Sequence, residues 1–317
     1  MKLDKQHVLE IFHRSLVPFL IAFRRFRTFV LIGFENFEEK LEHAAMPKAL
    51  HLTGKTVMIT GAGGGIGSEI SRQLIQYQPA RILLLGDGPK SIYTVESQLQ
   101  KRVGSHAEII PIVVDIQDKK RIFEIVGRYK PDIVYHTDGH QQLDVAEEKT
   151  TEALCVHVFG TYNIAEAANG YRVNTFVMVS SEQAAKPRNF KEAVKRLAEM
   201  TVESVSTTSS TQYTIFRSPE TLLHDKQLSK RSGHLFEQKA PVVYTAQQIL
   251  QAGETNIRLG KESSFHQKDA VVRIRPKKQT GISQIELARL LKQLKKNPKK
   301  EARELVISII KKERTKG

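Results

Sequence analysis

The chain has 317 residues, enough for one large domain with appendages, and an ordinary globular balance of 40% hydrophobic and 26% charged residues. A single cysteine, Cys155, excludes an intramolecular disulfide framework and points to a reducing compartment. The net charge of +15 is uneven: residues 261–317 hold 17 Lys and Arg against 6 Asp and Glu, so the basic excess belongs to the tail.

The first residues lead into an Arg-interrupted stretch with no small-residue cleavage site, so no signal peptide is expected. Residues 9–37 contain Phe12, Phe19, Phe23, Phe26, Phe29, Phe34 and Phe37, half of the 14 Phe in the chain, many at helical spacing. Arg24, Arg25 and Arg27 make this a poor transmembrane span. Two readings stay open: a helix lying in a membrane interface with its arginines at the headgroups, or a docking helix packed on the domain or on another subunit. Residues 38–54 read as a linker.

The central signal follows at residues 55–69. Val57 to Thr60 is a short β-branched run, predicted as a buried strand. It runs into Gly61, Gly64 and Gly67, and a helical pattern begins near Ser68. Gly-x-x-Gly-x-x-Gly between strand and helix permits a tight turn and lets backbone approach a pyrophosphate at the helix N-terminus. The alternative is a glycine-rich turn without a ligand. The order of later elements favours the first reading. Arg81–Leu85 is a second strand, followed by Gly86 and Asp87. An acid there can hold a ribose, or Asp87 is an ordinary turn aspartate. A helix over 91–102, a strand over Glu108–Val114 ending in Asp115-Ile116, a helix over 118–129 and a strand over Asp132–His136 come next. Helix 151–169, strand Thr175–Val179, helix 190–205 and strand Tyr213–Arg217 complete the pattern. Strand alternates with helix throughout, which predicts an α/β fold: a doubly wound, Rossmann-like parallel sheet covered on both faces.

Beyond Arg217 the pattern weakens. Val242–Ala252 and Val271–Ile274 read as short elements, Ile282–Leu294 as an amphipathic helix, and 301–313 as a final helix with a basic tip. The expected organisation is a helical segment and linker (1–53), a dinucleotide-binding domain (54–240), and a small C-terminal lobe with a basic tail (241–317). The tail is first a solvated helical face, and otherwise a contact for anionic lipid or nucleic acid, lipid ahead of nucleic acid because no nucleic-acid motif accompanies the charge. His136, His140, His157 and Asp138 lack the paired spacing of a metal site, so solvated or core histidines are expected and no metal.

The motif order resembles the extended short-chain dehydrogenase/reductases, and within them the CapD-type polysaccharide biosynthesis family of UDP-N-acetylglucosamine 4,6-dehydratases and epimerases. The stretches that carry the resemblance are Thr60–Glu69, Asp115-Ile-Gln-Asp118, Lys130–His136, Gly160–Ala168 and Lys195–Met200. The resemblance implies NAD or NADP as cofactor, with Gly61, Gly64, Ile66 and Gly67 at the pyrophosphate and Asp115 and Ile116 at the adenine. It implies oxidation at C4 of a nucleotide sugar, then loss of water across C5 and C6 with the hydride returned to C6, or epimerisation with the hydride returned to C4.

The catalytic motifs depart from the family's. Where Ser-Thr-Asp-Lys-Ala is expected, the chain has Ser180-Ser181-Glu182-Gln183-Ala184. Ser181 keeps a hydroxyl and Glu182 a carboxylate, but Gln183 cannot exchange a proton near neutral pH. Where Tyr or Met precedes Lys by four residues, Lys191 precedes Lys195. Lys195 is placed to contact ribose hydroxyls, and Lys191 acts as a base only if burial or neighbouring charge lowers its pKa. None of the eight Tyr has Lys four residues later. Val156-His157 replaces an Asn pair, and Pro219-Glu220 a Gly-Asn.

The expectation is thus an NAD(P)-binding protein of polysaccharide biosynthesis, dehydratase- or epimerase-like, with a UDP-sugar as partner. The alternative is a catalytically inactive nucleotide-binding scaffold or regulator. A homo-oligomer is allowed. The expected place is the cytoplasm, with peripheral contact at the inner face of the membrane through residues 9–37 and the basic tail.

Overall fold

The computed structural model describes residues 50–104, 107–137, 154–218, 239–253 and 271–274, with four single helical positions beyond 288. All belong to the unit Ala49–Gly317. The Phe-rich stretch, the segment 138–153, the polar region 219–238 and the stretches read as C-terminal helices lie outside these residues, apart from those single positions.

Seven strands form one sheet: β1 (Thr56–Thr60), β2 (Arg81–Gly86), β3 (Glu108–Val113), β4 (Ile133–His136), β5 (Thr175–Ser181), β6 (Gln212–Ser218) and β7 (Val271–Arg273). Their order is β3-β2-β1-β4-β5-β6-β7. The first six run parallel, and β7 is antiparallel to β6. Pro111, which has no N–H to donate, is tolerated because, among the described residues, β3 has β2 alone as a neighbour.

Alternation along the strands sorts the core into two layers. Val57, Ile59, Ile82, Leu84, Tyr135, Val177, Val179 and Phe216 face one side. They pack against α1 (Gly65–Leu74), α2 (Pro89–Val103) and α6 (Lys239–Ala252). Met58, Leu83, Val134, Phe176, Met178 and Ile215 face the other, under α3 (Lys119–Tyr129), α4 (Thr161–Gly170) and α5 (Phe190–Ser206). The strands read as continuous apolar runs because both faces are covered. α6 and β7 follow residue 240, and both join this layered fold: Ala246, Ile249 and Leu250 sit in the first core, and β7 extends the sheet.

Two local differences from the sequence expectation bear on the site. The helix expected over 151–169 is not uniform: residues Cys155–Gly160 form a π-helical turn, and the α-helix begins at Thr161. β5 continues past Val179 through Ser181, because the two serines still pair with Arg217 and Ser218 of β6.

Among the described residues, no helix is long and apolar enough to cross a membrane.

Candidate functional site

β1 and β4 are neighbours, yet the chain leaves β1 for β2 on one side and reaches β4 from β3 on the other. A parallel sheet whose order reverses at this point opens a crevice at the carboxyl ends of the two strands. The glycine loop sits there. Gly61 has φ +67°, a left-handed conformation that closes the turn. Its carbonyl accepts from Gly64 N at 2.9 Å, and the Gly64 carbonyl accepts from Ser68 N at 2.9 Å. A Cβ at Gly67 would lie 2.2 Å from the Gly61 carbonyl oxygen and 2.8 Å from Thr137 Oγ1. Around Gly65, by contrast, a Cβ would meet nothing within 4 Å. The loop is shut behind and open in front.

The helix it feeds, α1, has Gly64 at its N-cap and no side-chain cap. α3 and α5 are capped by Asp118 and Asn189, whose side-chain Oδ1 atoms accept from Arg121 N and Glu192 N at 3.0 Å each. The first N–H groups of α1 are thus left to an outside acceptor, as a phosphate group requires. These residues fit the pyrophosphate of a dinucleotide. Ile66 points into the core at the same turn.

Asp87 is exposed immediately after β2, twenty residues beyond Gly67, the spacing at which an acid reaches a ribose. Asp115 is exposed, and its carboxylate accepts from Gln117 N at 2.8 Å. Ile116 offers no side chain to a ligand: it is buried in the second core, and its carbonyl accepts from Asn163 Nδ2 at 3.0 Å.

The residues proposed for catalysis divide between faces. Ser181 is fully buried on the side of Val179, and its Oγ accepts from Gln183 N at 3.3 Å. Glu182 is exposed at the start of a 3-10 turn. Lys191 (half-buried) and Lys195 (buried) lie one turn apart on α5, which packs on the opposite face. Gln183 is the second residue of that 3-10 turn. Of the tyrosines, Tyr135 and Tyr213 are committed elsewhere, donating to the carbonyls of Leu250 at 3.1 Å and Ala165 at 2.9 Å.

Two buried histidines follow one another here: His157 stands beside the two lysines, and His136 beside His157. His136, at the end of β4, is bridged by Thr60 Oγ1 at 2.7 Å on Nδ1 and Thr161 Oγ1 at 2.8 Å on Nε2. Burial, then the neighbouring His157, pushes its pKa down to about 3. His157, in the π-helical turn, is 3% exposed. Burial, then Lys195 and Lys191, pushes its pKa down to about 4. Both are neutral imidazoles at pH 7. His157 was expected as an ordinary core or solvated histidine; its position against the two lysines comes from the break in the helix. Among the described residues, no group of three His, Cys, Asp or Glu is placed to hold a metal.

An ion cluster locks α5 to β6 behind this site. Glu199, fully buried, takes a bidentate pair from Arg217 at 3.0 and 2.8 Å and a third bond from Arg196 Nη1 at 3.0 Å. Arg196 also donates to Glu203 at 2.7 Å. The charges balance, which is what makes their burial tolerable. Every residue from Glu192 to Val202 is buried. In sequence, the only sign of the cluster is charged residues at helical spacing on an otherwise apolar helix.

With this geometry in hand, the relatives can be placed. The model of the polysaccharide biosynthesis protein family matches residues 57–219, a little over half the chain. The chain belongs to that family. The capsular polysaccharide biosynthesis protein CapD of Staphylococcus aureus is 42% identical over 159 residues, 50% of this chain and 26% of CapD. The probable polysaccharide biosynthesis protein EpsC of Bacillus subtilis (strain 168) is 40% identical over 166 residues, 52% of this chain and 28% of EpsC. The UDP-N-acetylglucosamine 4,6-dehydratase (inverting) of Campylobacter jejuni is 24% identical over 143 residues, 45% of this chain and 41% of that enzyme. The chain therefore spans about a quarter of the length of CapD and EpsC.

Proposed function

We propose that this member of the polysaccharide biosynthesis protein family binds NAD or NADP in the crevice above β1 and β4 and takes a UDP-sugar beside it, in dehydratase or epimerase chemistry. The glycine loop carries the reading: closed against any side chain at Gly67, open at Gly65, and feeding an uncapped helix. The likeness to the Campylobacter dehydratase supports the sugar nucleotide. When bound, the nicotinamide supplies the acceptor and donor of hydride. Asp87 would hold the ribose, and Asp115 with the backbone of Ile116 the adenine. Lys195 would orient the cofactor, leaving Ser181, Glu182 and Lys191 as the groups for proton transfer at the sugar.

A second reading, binding without turnover, is favoured by Gln183 and Lys191 standing where the family has Lys and Tyr or Met. The deciding experiment is mass spectrometry of UDP-N-acetylglucosamine incubated with the full chain and NAD or NADP, followed by chromatography for an isobaric epimer. Loss of one water, or a new retention time at constant mass, establishes turnover. Neither change, with cofactor shown to be bound, establishes the binding protein. Residues 9–37 and the basic tail are proposed as peripheral membrane contacts; liposome binding unchanged on deleting residues 1–40 would end that role for the Phe-rich stretch.

A further inference from the structure

A loop that offers a side chain to a ligand has to be held from behind. The segment 115–118, between β3 and α3, is tied at its ends by backbone. Val114 N donates to the Gly86 carbonyl at the end of β2 at 2.9 Å, and Asp118 N donates to the Asp115 carbonyl at 3.0 Å. Its middle is held by Asn163, a buried residue of α4, whose Nδ2 donates to the carbonyls of Ile116 at 3.0 Å and Gln117 at 3.1 Å. The loop and the start of α4 come this close at Gly160, where a Cβ would lie 2.4 Å from Ile116 Cδ1.

One peptide group connects this contact to the candidate site. The carbonyl of Ile116 and the N–H of Gln117 belong to the same planar trans unit, so they point in opposite directions and fixing one fixes the other. The carbonyl points inward to Asn163; the N–H donates to Asp115 Oδ1 at 2.8 Å, and Gln117 Nε2 donates to Oδ2 at 3.3 Å. A continuous chain thus runs from the buried amide of Asn163, through the Ile116–Gln117 peptide, to the carboxylate of exposed Asp115. Each bond in such a chain polarises the next. An amide NH2 supplies two donors, as two carbonyls require. An apolar side chain at 163 would leave both carbonyls unpaired and the peptide free to rotate.

We infer that Asn163 is a positioning residue for the adenine end of the dinucleotide site, orienting the Asp115 carboxylate to accept from the adenine amino group. This rests on the dinucleotide reading above, which gives the adenine to Asp115. A carboxylate only accepts, so it favours the amino group of adenine and opposes a base with a carbonyl oxygen at the same ring position. Selectivity for adenine over hypoxanthine then depends on a buried side chain behind the loop.

The test is calorimetric titration of the full chain with NAD and with its deaminated analogue, nicotinamide hypoxanthine dinucleotide, for the wild type, Asn163→Leu, Asp115→Ala and the double variant. The wild type should prefer NAD by about tenfold, the effect of one hydrogen bond to a charged group. Asn163→Leu should remove most of that preference by weakening NAD. It should add less than about twofold to the loss in Asp115→Ala, because the two residues act in series. A general loosening of the domain would instead weaken both dinucleotides alike and keep their ratio. A wild type without preference, an Asn163→Leu variant that keeps the preference, or losses that multiply in the double variant would each overturn the inference and leave the dinucleotide reading intact. A wild type that binds neither dinucleotide overturns both. Should Asn163→Leu not fold, the side-chain amide resonances of Asn163 in the wild type decide: a larger shift with NAD than with the analogue is expected, and equal shifts refute it.

Discussion

Lowering the pH from 7.5 to 5 should remove about 4 kcal/mol of folding stability through two residues, His136 and His157. The sign follows from their burial. Both folded-state pKa values lie below the unfolded value near 6.5, at about 3 and about 4. The unfolded chain therefore binds more protons as pH falls, and stability that is complete above 6.5 is lost progressively below it. At pH 5 an unfolded imidazole gains about 2 kcal/mol by protonation, while each buried one gains almost nothing. The difference is about 2 kcal/mol per residue, a large share of a typical 5–15 kcal/mol. Hydrogen bonds do not oppose the charge at His136, since Thr60 and Thr161 hydroxyls can both turn to accept. The opposition is the loss of hydration and the repulsion of neighbouring positive groups. Urea unfolding of the full chain at the two pH values measures it. The midpoint should fall by about 2 M at an ordinary m-value, and His157→Gln and His136→Asn should each lose about half of the pH dependence. Stability that is flat between pH 7.5 and 5, or single variants that keep the full slope, would refute the argument.

Three further outcomes are expected. Gly67→Ala must displace the Gly61 carbonyl, which would lie 2.2 Å from the new methyl; it should cost about 1–3 kcal/mol in unfolding experiments and abolish NAD binding in titration. Glu199→Ala leaves buried Arg196 and part-buried Arg217 without their shared partner and should cost about 3–5 kcal/mol, whereas Glu199→Leu with Arg217→Leu, which preserves the Arg196–Glu203 pair, should cost much less by thermal unfolding. Asp87, exposed just after β2, should repel a 2′-phosphate if it holds the ribose as proposed; NAD should then bind more tightly than NADP, and Asp87→Ser should narrow the ratio by about tenfold at low salt.

Local chemistry by itself determined the layered α/β fold, because β-branched runs and amphipathic stretches carry their period in adjacent residues. Each parallel strand lies within two residues of its place in the sequence pattern, and the glycine loop was legible because strand, glycines and helix are contiguous. The short elements after residue 240 were legible too, but not their place, since pairing with β6 and packing on α1 are contacts between distant segments. Tertiary structure alone decided the rest of the site. A buried histidine and a solvated one look alike in sequence; His136 becomes a neutral bridge only when β1 and α4 bring Thr60 and Thr161 to its two nitrogens. Ile116 and Asp115 are neighbours in the chain, yet packing buries one and leaves the other exposed. Ser180 and Ser181 differ by one residue and face opposite layers, because the strand continues through both. The π-helical turn that brings His157 to Lys191 and Lys195 leaves no mark in the periodicity. It inserts one residue into a helix whose apolar pattern tolerates it, and only the packing of α4 and α5 against the sheet decides where that residue goes.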